Sequence, residues 1–313
     1  MPSHATDVLH KAEPSLATSD RRWRDVPSWP SRRRARRPLS KRASIVCVAI
    51  LVVLALYCII VPAVADVDPR VVDLSAYLQP PSSAHLMGTD LLGRDLFVRS
   101  AQALRISLML AATAAVVSTV LGSVIGTLAA LAGGWVDKVV MRAVDALNAL
   151  PHLLLGVVIA SLWRGAWWAI VASIALTHWT QIARIVRSEI LSLRNREHVD
   201  AAIASGASRR QVWATHLLPA VVPQALIAVV LTLPHAVWHE STLSFLGVGL
   251  PPNDPSLGTL LEDAREGILA GGWWMLFFPA VLLTAACLAV AGLGGSLRDK
   301  SIPKRAVEAE VSR

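Results

Sequence analysis

Arg194-Asn-Arg-Glu-His-Val-Asp200-Ala201-Ala202-Ile-Ala-Ser-Gly206-Ala207-Ser208-Arg209-Arg210-Gln-Val-Trp213-Ala-Thr-His216-Leu217-Leu218-Pro219 is the stretch on which the reading of this chain turns. It lies between two apolar runs and is longer than a simple link between neighbouring helices needs to be. Val199, Ala202 and Ile203 share one helical face, Gly206 breaks the run, and Ser208 caps a second short helix bearing Val212, Trp213 and Leu217. Two short helices with apolar faces, joined at a glycine and held beside a membrane, make a knob suited to a groove on a partner. An interfacial hairpin lying on lipid, its arginines reaching phosphates, is the plainer alternative.

Outward from this stretch the chain is dominated by apolar runs near 43–65, 106–132, 146–163, 165–183, 217–238 and 273–297. Each approaches the roughly 20 residues that cross a bilayer as a helix. A chain of 313 residues with 54% hydrophobic and 17% charged residues is a membrane protein, not a soluble domain. Only Arg164-Gly165 separates the third run from the fourth. Two full spans are expected there, with a re-entrant hairpin as the alternative. The first run is too long and too far from the N-terminus for a cleaved signal peptide. An all-α protein of six transmembrane helices follows.

Of the 30 Lys and Arg residues, 24 fall on one side of such a bundle, together with both termini. That side is therefore expected to be cytoplasmic. Trp supplies 11 of the aromatic residues against 2 Tyr and 4 Phe, and most sit near the ends of runs, as interfacial anchors do. Cys47, Cys58 and Cys287 lie inside apolar runs and imply no disulfide framework. Residues 1–42 are polar, hold Pro14, Pro27, Pro30 and Pro38, and end near the cluster Arg32-Arg33-Arg34-Ala35-Arg36-Arg37. This tail is expected to be disordered and to bind anionic lipid, at about 1 kcal/mol per charge, rather than nucleic acid. The remainder divides into 43–105, a first span plus an external segment; 106–298, a five-helix core with an inside loop at 188–219; and a second tail at 299–313.

The external segment, 66–105, ends in a turn at Gly88-Thr89-Asp90, after which Leu91, Leu92, Leu96 and Phe97 recur at helical spacing. A short amphipathic surface helix capped at that turn is expected. Asp90, Arg94 and Asp95 form local caps and i,i+4 pairs there, or a collar that touches an external partner. In the second run Ala114, Ser118, Gly122, Gly126 and Ala130 repeat every four residues, a ridge that lets another helix approach closely and marks a helix central to the bundle, beside the translocation path. His235 and His239 stand at i,i+4 with Glu240 adjacent. Zinc binding lacks a third ligand; a gate or helix-terminus role at His239 and Glu240 competes with ordinary interhelical hydrogen bonding.

Asp200-Ala201-Ala202, Gly206 and Leu218-Pro219 together resemble the cytoplasmic "EAA" loop of ATP-binding-cassette importer permeases. The segments 85–95, 133–145, 243–252, 255–258 and 297–299 are similar to the C-type permease subunit of dipeptide, oligopeptide and nickel importers. The chain departs from that pattern by Asp200 in place of Glu and by Leu257 where many members have Trp. The resemblance implies the type I ABC importer permease fold in the bacterial cytoplasmic membrane. It also implies a second homologous permease subunit, two cytoplasmic ATPase domains and an external substrate-binding protein. Asp200, Ala201, Ala202, Gly206, Ala207, Arg209, Arg210, Leu218 and Pro219 would couple the chain to an ATPase. ATP and Mg would bind on those partners, for no G-x-x-x-x-G-K-[ST] loop occurs in this sequence and no cofactor is expected on it. The expected cargo is small peptides, with nickel or another small solute as the alternative. A self-powered carrier would show inverted repeats, and a membrane metalloenzyme a zinc site.

Overall fold

A computed structural model describes residues 41–65, 71–194, 196–251 and 254–301. The basic cluster at 32–37 and the C-terminal tail beyond 301 lie outside the described residues. Helices α1 (Lys41–Val64), α2 (Leu96–Ala132), α3 (Gly134–Ala149), α4 (His152–Leu162) and α5 (Trp167–Arg194) lead to two short helices, α6 (Glu197–Ala204) and α7 (Arg209–Val212). A π-helical turn at Trp213–Leu217 then joins α8 (Leu218–Phe245), followed by α9 (Leu257–Leu269) and α10 (Trp274–Ser301). Among the described residues the regular structure is helical, apart from an isolated bridge between Thr89 and Asp95. Five helices, α1, α2, α5, α8 and α10, are long and apolar enough to cross a membrane, and the bent pair α3–α4 would be a sixth.

Three expectations are corrected. Among the described residues no separate surface helix stands before the second span. A 3-10 turn at Leu74–Ala76 is the only helical piece described between α1 and α2, and α2 then runs 37 residues without a break from Leu96. The boundary drawn at residue 105 falls inside it. The reason is the cap: Asp95, not the Gly88-Thr89-Asp90 turn, accepts from the amides of Phe97 at 2.8 Å and Val98 at 3.2 Å. The run 146–163 is not one straight helix either. Leu150 precedes Pro151, whose ring excludes its neighbour from the helical region, and Leu150 accordingly sits at φ −78° and ψ 142°. Helix α3 stops at Ala149, and α4 leaves at 88° to it. Thirdly, Ile203 does not share the inward face of Val199: Val199 is buried while Ile203 is 55% exposed.

The packing fixes the directions of the helices. A Cβ on Gly122 would meet the Trp179 carbonyl oxygen at 2.6 Å and Ile182 Cβ at 2.7 Å, and one on Gly126 would overlap the backbone of Ala183. Four residues along α2 thus advance in the same sense along α5, so the two helices are parallel. Parallel neighbours in a bundle require the chain to return between them. Helix α3 begins the return antiparallel to α5: Arg187 pairs with Asp137, Arg184 with Asp145 at 2.7 Å, and Thr180 donates to Asn148 at 2.8 Å. Helix α4, about 16 Å long at 1.5 Å per residue, continues it. The return finishes where Arg164 donates to the Gly247 carbonyl at 2.7 Å and the Gly165 amide to that of Gly249 at 3.2 Å. Helix α8 runs antiparallel to α5: Val221 clusters with Ile190 at one end, and His239 meets His178 further along, ring centroids 4.9 Å apart. The end carrying α6 and α7 is called the loop end below, and its opposite the far end.

Helix α1 joins mainly at the far end, where Tyr57 Oη donates to the Phe97 carbonyl at 2.7 Å. Along the rest of its length it is exposed, with only Leu54 and Cys58 buried. Exposed Trp163, Trp167, Trp168, Trp238 and Trp273 gather towards the far end, and Trp135 stands 73% exposed at the loop end.

The close approach of α2 and α5 separates crowding from glycine content. Gly126→Val is expected to push α5 away and lower stability by at least the ~1–3 kcal/mol of an overpacked core. Gly295→Ala, on a helical surface where an added Cβ meets nothing within 4 Å, should be neutral or stabilising by up to about 1 kcal/mol. Thermal unfolding of the detergent-purified chain checks both.

Candidate functional site

At the loop end the chain folds into two capped helical pieces. Glu197 and Asp200 stand in the first turn of α6, where negative charge favours the helix dipole. Helix α6 ends in two nested bonds: the Gly206 amide donates to the Ile203 carbonyl and the Ala207 amide to that of Ala202, both at 3.0 Å. This closure places one residue in the left-handed region, and Gly206 takes it at φ +86°. A Cβ at Gly206 would meet nothing within 4 Å, so the demand for glycine comes from the backbone angle alone. The next helix opens with a reciprocal cap, the Ser208 amide donating to Gln211 Oε1 at 2.8 Å and the Gln211 amide to Ser208 Oγ at 3.3 Å. Ser208 was expected as a cap; Gln211, its partner, was legible in the Ser-x-x-Gln spacing and missed.

The inner face of this knob is apolar. Leu217 and Val221 pack with Val186 and Ile190 of α5 and Ala130 of α2, while Val199 and Val212 are buried. Its outer face presents Asp200, Ala201, Ile203, Gly206, Arg210, Leu218 and Pro219, with Ala202 and Ala207 half-buried. The backbone of Arg209 opens α7. The structure thus brings the expected coupling residues onto one projection. The π-helical turn behind it has a local cause. Pro219 has no amide to donate and its ring crowds the carbonyl four residues earlier, so the turn widens and the Leu218 amide reaches back five residues to Trp213.

Beyond the far end of α2, Asp90 is the centre of a buried charge cluster. Its Oδ1 accepts from the amides of Leu92 at 2.8 Å and Arg94 at 2.9 Å, and its Oδ2 accepts from Arg94 Nε at 2.7 Å and from Arg99. Arg99, 1% exposed, also reaches Asp263 of α9 at 3.3 Å. Asp95 caps α2 and pairs with His85 Nδ1 at 2.8 Å. Asp90, Arg94 and Asp95 are therefore held inward by their own chain. Sequence reading missed Arg99 and Asp263, which stand 164 residues apart and carry no spacing signal. Burial pushes the Asp263 carboxyl above its ordinary range, although Arg99 and Arg94 pull it down. A group protonated more readily folded than unfolded gives stability that falls as pH rises through the shifted range.

The remaining candidates divide. Gly122 and Gly126 form the α2–α5 contact, and Ser118 is buried with its hydroxyl returned to the Ala115 carbonyl at 3.1 Å. Glu240 is fully buried among serine hydroxyls, and His239 is 8% exposed beside His178. Among the described residues no three His, Cys, Asp or Glu side chains converge to hold a metal ion.

Arg99→Met leaves Asp90 to Arg94 alone, with Asp263 close by, and is expected to cost about 1.5–3 kcal/mol, the loss of a buried charged hydrogen bond. Arg99→Lys, which keeps a positive charge beside Asp90 and Asp263, should recover part of that loss. Unfolding midpoints of the two variants test the sign. Asp263→Asn should flatten the fall in stability with rising pH, read from midpoints across the acid range.

With this geometry in hand, comparison with known proteins is specific. Residues 118–300 match the family described as binding-protein-dependent transport system inner membrane component. The chain is 33% identical over 287 residues to a protein of Brucella suis biovar 1 (strain 1330) provisionally named a peptide transport system permease, covering 91% of this chain and 95% of that one. It is 37% identical over 225 residues to the dipeptide transport system permease protein DppC of Bacillus subtilis (strain 168), covering 72% of this chain and 70% of that one. A solved chain of the MetNI methionine ABC transporter, in an inward-facing conformation, shares the fold with a TM-score of 0.51 at 20% identity, over 63% of this chain and 94% of that one. The chain, with its parallel α2–α5 core and projecting two-helix knob, belongs on these likenesses to the multi-pass inner-membrane permease family of binding-protein-dependent ABC transport systems.

Proposed function

We propose that this chain is one of two related permease subunits of an ATP-driven importer of small peptides. Two ATPase domains would dock at the loop end and an external binding protein would deliver peptide at the far end. The peptide assignment is supported by the names of the Brucella suis and Bacillus subtilis relatives. A cytoplasmic loop end, and with it cytoplasmic termini, is supported by Arg184, Arg187, Arg194, Arg196 and Arg210 there, since connections rich in Lys and Arg resist transfer across the membrane. With α3–α4 counted as a bent return, the chain makes six crossings. Basic residues 32–37 then lie on the cytoplasmic side, where anionic lipid would hold them.

The observation that carries this reading is the knob. An apolar inner face seats it on α5 and α2, and an outer face of small residues, Ala201 and Gly206, flanked by Asp200, Ile203 and Arg210, is left uncovered. Small side chains allow close approach of a partner surface, and the charges set its register. Because α7 passes through the π turn into α8, a pull on the knob is a pull on α8. Closure of the ATPases would thereby switch the path between inward- and outward-facing states, a rigid-body transition biased by nucleotide.

The test is ATP-dependent uptake of labelled di- to hexapeptides by the complete complex in proteoliposomes. Gly206→Val forces a branched side chain into the left-handed region, at about 1–2 kcal/mol or more. It should reduce uptake at least about tenfold while the two permease subunits still co-purify. Uptake by this chain alone, without an ATPase, would sink the assignment.

A further inference from the structure

The far ends of α2, α8 and α9 meet at a buried carboxylate to which no Lys or Arg is bonded among the described residues. Glu240 Oε2 accepts from Ser107 Oγ at 2.7 Å and Oε1 from Ser244 Oγ at 2.9 Å, with Ser241 Oγ 3.4 Å from Oε2. Ser107 Oγ in turn accepts from the Leu257 amide at 3.0 Å. A hydroxyl has one hydrogen, and with an amide hydrogen aimed at its oxygen that hydrogen is free for Glu240. The direction of the chain is therefore fixed: Leu257 N–H to Ser107 O–H to Glu240. Leu257 is the first residue of α9, so the carboxylate is linked through one hydroxyl to the positive end of a helix.

The surroundings make this contact rigid. Ser107, Glu240, Ser244, Ser256 and Leu257 are all at most 1% exposed. Helices α8 and α9 touch through backbone, since a Cβ on Gly258 would lie 2.5 Å from the Ser241 carbonyl oxygen. A second tie, Arg99 to Asp263, holds α9 to α2 two helical turns away. Loss of the Ser107 hydroxyl would strand the buried Leu257 amide and leave Glu240 Oε2 with only the long contact to Ser241.

We propose that Ser107 is a positioning residue for transport, fastening α9 and Glu240 of α8 onto α2 so that the three far ends move as one body and keep the outer mouth closed until the binding protein docks. This rests on the importer reading above. Satisfied buried networks of this kind stiffen the elements they join, and bistable packing needs stiff elements to switch.

The experiment compares ATP hydrolysis by the complete complex in proteoliposomes with and without binding protein. Ser107→Ala is expected to raise hydrolysis in the absence of binding protein about tenfold and to abolish most of its stimulation. Ser107→Thr, which keeps the hydroxyl, should stay near the unmodified ratio. Adding Glu240→Gln to Ser107→Ala should change the ratio no further. An unmodified ratio in Ser107→Ala, or equal damage by Ser107→Thr, overturns the proposal. Should Ser107→Ala fail to assemble, spin labels at exposed Met109 and Leu269, with Ser107 intact, give a second reading. Their separation should be the same in nucleotide-free and ATP-vanadate-trapped complexes, and a shift between the two overturns the rigid unit. A complex whose hydrolysis is stimulated by a binding protein loaded with another solute, but which moves no peptide, overturns the peptide reading and leaves the Ser107 comparison intact.

Discussion

Backbone contact between α2 and α5 at Gly122 and Gly126 sets the arrangement of everything else. In lipid there is no hydrophobic gain from burying one apolar helix against another, so association depends on how closely two surfaces fit. Bare glycine hydrogens against the Trp179 and Ala183 backbones provide that fit. The contact is parallel, and from this the return through α3 and α4 follows, with Pro151 making the corner. The return is pinned to α5 by Arg187 with Asp137 and Arg184 with Asp145, so charges at the loop end are already partly matched within the chain.

The two ends of the bundle are held by different chemistry. The knob at the loop end is closed by bonds between residues three to five apart in sequence, the nested closure at Gly206 and the Ser208–Gln211 cap among them. Such bonds need no tertiary support, and they leave an outer face free. The far end is held by bonds across the chain, Arg99 to Asp263, Trp274 Nε1 to the Thr89 carbonyl at 3.0 Å, and Ser107 to both Glu240 and Leu257. These are directional and mostly buried, and two of them, Arg99 to Asp263 and Ser107 to Leu257, tie the same pair, α2 and α9. A self-contained projection at one end and a cross-braced block at the other is a division suited to a part that is gripped and a part that must not deform.

What could be read from the sequence follows the same division. The knob was legible because caps and glycine turns are local rules: Gly206 and Ser208 announce themselves within a few residues. The glycine ridge of α2 was legible as a packing surface, since four-residue periodicity survives into three dimensions. The external segment was misread because Leu91, Leu92, Leu96 and Phe97 suit a surface helix as well as a buried turn leading into α2. Asp95, not Asp90, won the cap, and Asp90 was drawn into the cluster with Arg99. Ile203 was misplaced because helical spacing sets it beside Val199 and Ala202, whereas the fold covers Val199 fully, Ala202 in part and Ile203 hardly at all. Ser107 and Asp263 had no signal at all, being ordinary residues until the fold sets them beside Glu240 and Arg99.

Helix α8 connects the two ends as a rod. Helix α8 is continuous from the π turn beside the knob to Phe245, and at the rise of an α-helix its 28 residues span about 42 Å. Leu217 and Val221 seat its lower end among side chains of α5 and α2, while Glu240 seats its upper end on Ser107 of the same α2. A displacement at the knob that α8 transmits without bending therefore has two outcomes available. Either α8 slides against α2, breaking a buried hydrogen bond to a carboxylate, or α8 carries α2 and α9 with it. The first costs about 1.5–3 kcal/mol for the charged hydrogen bond, before any unsatisfied amide is counted. The second breaks nothing at the far end. Pro223 and Pro234 remove two backbone hydrogen bonds from α8 between its seats, so bending of the rod itself is the route by which small motions are absorbed without reaching Ser107.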